Sequence, residues 1–159
     1  KVTSPWDYSL AIADLNNDGL KEAVFGRGDG YIYVQSVDKN PVKTWRLNVG
    51  GKPTAIVALT DQTEKLAVAN ELGNIVFVNG TGEVTGSVNL PAGLTDMKMW
   101  KNQLLALCMD GYVYAVDLKG KVLAKYLYTV DSMSIYEPKL AVSEEVALVF
   151  SGNKTFTIK

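Results

Sequence analysis

The chain has 159 residues, 47% of them hydrophobic and 21% charged, with a formal net charge of -1, a single cysteine and no histidine. That length holds one domain or a compact repeat array, and the charge balance excludes a nucleic-acid cleft or a polybasic membrane patch as the main purpose. The lack of histidine removes Ser-His-Asp and Cys-His nucleophile systems, imidazole bases and the usual zinc ligands, while one cysteine makes neither an internal disulfide nor a CxxC site. No apolar run is long enough to span a bilayer as a helix. The chain begins with Lys1-Val2-Thr3 and not with Met, which reads as a processed or excised segment.

In chain order, the turn Ser4-Pro5-Trp6-Asp7 leads into an apolar stretch from Leu10 and then an acidic loop from Asp14 to Glu22. From there the pattern repeats. An apolar run (Glu22 to Gly26) is followed by a glycine-led alternating strand from Gly30, then the polar turn at Asp38, then a strand around Trp45. The same order recurs with glycines at 73, 111 and 152, a period of about forty residues. Apolar residues recur at a spacing of two and turn residues interrupt the chain every few positions, which predicts short antiparallel strands and no helix. Each unit predicts four strands, with the last unit lacking one that Lys1-Val2-Thr3 supplies, so that the ring closes through the N-terminus. Serial four-stranded units of this length predict an all-β fold, a β-propeller of about four blades, either a complete small ring or half of a larger one. The domain is expected to span 1–159, with repeats near 5–48, 49–90, 91–130 and 131–159 plus 1–4.

One segment has chemical specificity. Asp14, Asn16 and Asp18 alternate, Gly19 follows, and Glu22 closes the loop. Ca²⁺ takes six to eight oxygens, and a loop curling round it presents side-chain oxygens at every second residue, then a backbone carbonyl, here that of Leu20, then a final carboxylate. Gly19 supplies the sharp bend, and Leu15 and Leu20 are expected to face inward. The equivalent loops of the other units lack the alternating acids, so one structural Ca²⁺ is expected.

These residues carry two resemblances. The segments from Gly73 and Gly111 resemble the pyrroloquinoline-quinone-type propeller repeat, with its glycine-aromatic strand and Asp-x-x-Gly-Lys turn. The stretch Asp14 to Gly26 resembles the calcium-bearing FG-GAP repeat of integrin-α-type propellers, and that resemblance implies an ion that stiffens the fold without reacting.

In such a fold, the connections before the first strand and between the second and third strands of each blade share one face, where Trp6, Tyr8, Arg27, Asp29, Lys52 and Glu71 are the candidate partner-binding residues. Cys108 sits in an apolar run and reads as a buried hydrophobe. The tyrosine pairs 31/33, 112/114 and 126/128 read as blade packing. The function expected is a noncatalytic interaction scaffold for a protein or glycan, extracellular or in the cell envelope, homodimeric if the ring has eight blades. The alternatives are a fragment of a quinoprotein dehydrogenase or calcium-dependent polysaccharide lyase, and an intracellular trafficking scaffold.

Overall fold

The computed structural model describes residues 9–37, 43–59, 64–128 and 137–159. Their strands form four antiparallel sheets in simple meander order. Blade 1 holds β1 (Leu10–Ala13), β2 (Glu22–Gly26), β3 (Tyr31–Ser36) and β4 (Lys43–Asn48). Blade 2 holds β5 (Pro53–Ala58), β6 (Glu64–Asn70), β7 (Asn74–Asn79) and β8 (Val84–Asn89). Blade 3 holds β9 (Leu94–Trp100), β10 (Gln103–Cys108), β11 (Tyr112–Val116) and β12 (Val122–Leu127). Blade 4 has three strands, β13 (Lys139–Val142), β14 (Ala147–Ser151) and β15 (Lys154–Ile158). The predicted closing strand Lys1-Val2-Thr3 lies outside the described residues.

The repeat seen in the sequence is a repeat in backbone geometry. Gly30, Gly73, Gly111 and Gly152 all take positive φ at the turn from the second to the third strand, which is why each repeat is led by glycine. The third-to-fourth strand pairs of blades 1, 2 and 3 each carry a register shift at the equivalent place. In blades 2 and 3 the following turn is closed by the same device. Asn79 Oδ1 accepts the N–H of Thr81 and Glu83, and Asp117 Oδ1 accepts those of Lys119 and Lys121.

Stacking explains the apolar runs. A middle blade is covered on both faces, so Leu66 to Val68 in β6 and Leu104 to Cys108 in β10 are continuously buried. Three apolar clusters join blades 1 and 2 (Val24, Ile32, Leu66, Val68), blades 2 and 3 (Ile75, Phe77, Met97, Leu104), and blades 3 and 4 (Leu105, Leu107, Leu140, Val149). Polar struts cross the same seams. Asn70, fully buried, donates to the Val49 carbonyl at 2.8 Å, the Trp100 indole donates to the Ser143 carbonyl at 2.8 Å, and buried Asp96 accepts the Leu140 N–H at 2.9 Å. Among the described residues, no helix is long and apolar enough to cross a membrane.

Candidate functional site

The inner strands of all four blades bring their leading ends to one cavity of about 530 Å³. Ser9 comes from the start of blade 1, Lys52 and Thr54 from blade 2, Thr95 from blade 3 and Lys139 from blade 4. Glu71, from the β6–β7 turn, and Glu137, just before β13, add two carboxylates to the two ammonium groups. Backbone bonds set this arrangement: the Lys52 N–H donates to Glu71 Oε1 at 3.3 Å, the Glu71 N–H donates to the Lys52 carbonyl at 3.0 Å, and Lys139 Nζ donates to the Thr95 carbonyl at 3.4 Å. Among the described residues the buried hydroxyls of Ser9 and Thr54 have no hydrogen-bond partner, so the wall retains donor and acceptor capacity.

The predicted face is therefore divided. Lys52 and Glu71 line the cavity together, whereas Arg27 and Asp29 do not. Arg27 is drawn outward, its guanidinium 5.0 Å above the Tyr33 ring and 4.0 Å from Asp29. Desolvation acts to raise the Asp29 pKa, but the Tyr33 hydroxyl at 2.8 Å, the Tyr31 N–H and the Arg27 charge outweigh it and hold the carboxyl below its ordinary value. Trp6 and Tyr8 lie outside the described residues. Sequence reasoning missed Ser9, Thr54, Glu137 and Lys139, because lone polar residues at strand ends carry no local signal and converge only when the blades are arrayed.

Cys108, Tyr114 and Tyr128 do not line the cavity. Burial raises the Cys108 pKa, and its thiol donates to the Ala92 carbonyl at 3.2 Å, so Cys108 is a buried, protonated side chain. Burial also raises Tyr114, with further contributions from Asp110, and pushes Tyr128 up to about 12.

The acidic loop is closed by its own side chains. Asp14 accepts the N–H groups of Asp18 at 3.2 Å and Gly19 at 2.9 Å, and Asn16 Oδ1 accepts the Asp18 N–H at 3.0 Å. Asp18 accepts the Leu20 N–H at 2.7 Å and the Asn16 amide at 2.9 Å, while buried Glu22 accepts the Leu15 N–H at 2.9 Å. Leu15 faces inward as expected, but Leu20 is 55% exposed, because the chain reverses at Gly19 and leaves it on the outer limb of the loop. The donor set suits a hard cation, since an ionised carboxylate has roughly four acceptor sites and Asp14, Asp18 and Glu22 use only one or two of theirs in these bonds. Its geometry is that of a hydrogen-bonded turn: among the described residues no three His, Cys, Asp or Glu side chains converge on one point.

No family model and no curated protein matches this sequence. Solved structures do. Sqt1 from Saccharomyces cerevisiae is 16% identical with a TM-score of 0.73 over 94% of this chain and 44% of that one. The fold is a β-propeller. BBS1N, solved in complex with ARL6DN, gives 15% identity and a TM-score of 0.70 over 97% of this chain and 47% of that one. BamB from Moraxella catarrhalis gives 16% and 0.66 over 92% and 45%. The chain spans about half the length of each of these three propellers.

Proposed function

We propose that this propeller is a noncatalytic interaction scaffold of the FG-GAP and pyrroloquinoline-quinone-type repeat class, whose loop face receives a segment of a protein partner. The observation that carries the reading is the cavity to which every blade contributes, with two lysines, two glutamates and unsatisfied hydroxyls in one wall. Such a wall complements a peptide, which offers charges of both signs along with amide donors and acceptors. A propeller of the same fold, BBS1N, is solved as a complex with another protein.

Screening a displayed peptide library and a glycan array on the immobilised chain tests the reading. Peptides should be selected, and Lys52→Glu with Glu71→Lys should abolish their binding at an unchanged melting temperature. Selection of glycans alone would replace the protein partner with a carbohydrate one. If neither library binds, or the charge reversal leaves binding intact, the cavity is not the receptor.

Calcium stiffening is part of the same proposal, with Asp14, Asn16, Asp18, Glu22 and the Leu20 carbonyl as ligands, which would have to draw together from their present hydrogen bonds. An ion bound only by the folded state contributes about 2.7 kcal/mol at a hundredfold excess over Kd, or several degrees of melting temperature. Chelator should lower the melting temperature of the wild type and leave Asp14→Ala unmoved. Under this reading the protein works where calcium is abundant, outside the cell or in its envelope. A melting curve insensitive to chelator would favour the intracellular scaffold.

A further inference from the structure

The two end blades turn outward faces in the register of those that the inner seams bury, with apolar residues exposed on both. In blade 3, one row across the sheet runs Met97, Ala106, Tyr114, and it packs on blade 2. The row in register with it in blade 1 is Leu10, Phe25, Tyr33. The match extends to the turns, since the Asp29 carboxylate holds Tyr33 as Asp110 holds Tyr114, and a cation covers the neighbouring ring in each: Arg46 over Tyr31 and Lys125 over Tyr112. Burial differs. Met97 is 1% exposed, whereas Leu10 is 61% and Ile12 54% exposed, although Ala11 and Ala13 between and beside them pack on blade 2.

Blade 4 supplies the opposite half. Blade 2 receives blade 3 on the rows Val57, Ala67, Phe77 and Ala55, Ala69, Ile75. The equivalent rows of blade 4 are Ala141, Leu148, Thr157 and Lys139, Phe150, Thr155, and Phe150 is 42% exposed where Ala69 is fully buried. Packing blade 4 on blade 1 therefore repeats the register of the seam between blades 2 and 3, with Leu148 and Phe150 at its centre and Lys139, Thr155 and Thr157 in place of apolar residues. Among the described residues no apolar cluster joins blade 4 to blade 1: the clusters join the first blade to the second, the second to the third and the third to the fourth.

We propose that blade 4 of one copy packs on blade 1 of a second copy, and the reverse, so that two chains close one eight-bladed ring about a two-fold axis. Each contact is head to tail, yet two of them close the ring, so no free face remains to propagate a filament. The proposal stands independently of the loop-face partner.

Light scattering across a micromolar concentration series reads the outcome directly, and a dimer mass is expected. Ile12→Lys and Phe150→Lys should each weaken the dimer at least about a hundredfold, because each brings an unpaired charge into the seam and the one at 150 stands in register with Lys139, with the sheet circular dichroism unchanged because both positions face outward within one chain. Mixing Leu10→Cys chains with Phe150→Cys chains under mild oxidation should yield a covalent dimer of the two types. A monomer mass at every concentration overturns the proposal. In that case a chain carrying both cysteines that links internally would show a four-bladed ring closing on itself, and one that stays unlinked would show that something other than this chain covers the faces.

Discussion

The Tyr114 hydroxyl donates to the Asp110 carboxylate at 2.6 Å, four residues back across a glycine-led turn. The same bond at 2.8 Å joins Tyr33 to Asp29 in blade 1. An Asp-Gly-Tyr-x-Tyr sequence thus ties a strand to its preceding turn, using the acid both as a turn-former and as the acceptor for a packed ring.

Buried tyrosines set the alkaline limit. The pKa values of Tyr114 and Tyr128 are raised above the ordinary value of 10.0, by burial first and by nearby acidic groups second. A group raised in the folded state contributes stability that is complete below its unfolded pKa and is lost as pH rises through the folded one. Stability should therefore decline above pH about 10, and Tyr128→Phe, having no proton to lose, should decline less steeply. Asp110→Asn should lower the Tyr114 ionisation midpoint without restoring it to the ordinary value, since burial remains. Absorbance titration of tyrosinate checks both.

Asp29 sets a weaker limit in acid. Its pKa is lowered, so its contribution is present above the ordinary carboxylate value of 3.8 and disappears as pH falls through the folded pKa. Asp29→Asn should be less stable than the wild type at pH 7 by well under about 1 kcal/mol, because the pair with Arg27 is half exposed. Denaturant titrations at pH 7 and pH 3 should show the gap closing.

Asn70 holds the seam between blades 1 and 2. Its amide donates to Val49, and its Oδ1 accepts the N–H groups of Leu72 and Asn74, both at 3.0 Å. Asn70→Ala leaves the buried Val49 carbonyl and two part-buried N–H groups without these partners and should cost about 1–3 kcal/mol. Asn70→Asp keeps the acceptor but loses the donor and buries a charge, so it should be no better. Melting temperatures of the two variants measure this.

Gly80 is a contact residue. A Cβ there would collide with the Leu15 carbonyl oxygen, where the turn after β7 lies against the acidic loop of the neighbouring blade. Gly80→Ala should destabilise by about 1–3 kcal/mol, while Gly28→Ala, which meets nothing, should not. Calorimetry distinguishes them.

The all-β class, the period and the strand order were legible in the sequence because each depends on local chemistry. Glycine at a positive-φ turn, alternation along a strand and an Asx-closed turn act over a few residues and leave the same mark in every unit. The burial of Leu15 and Cys108 followed from the same patterns. Other features arise only when blades are placed side by side. Ser9, Thr54, Glu137 and Lys139 are isolated polar residues along the chain, and only the array of inner strands gathers them into one cavity. Arg27 and Asp29 occupy the turn expected of them, yet they engage Tyr33 and not the cavity wall, the guanidinium lying over its ring and the carboxylate accepting its hydroxyl. The alternating acids of the Asp14 to Glu22 loop specify its turn, but the directions of their carboxylates are set by which backbone N–H groups the folded loop offers. Exposure of Leu10, Ile12 and Phe150 is likewise a tertiary fact, since an apolar residue on a strand does not record whether another sheet will cover it.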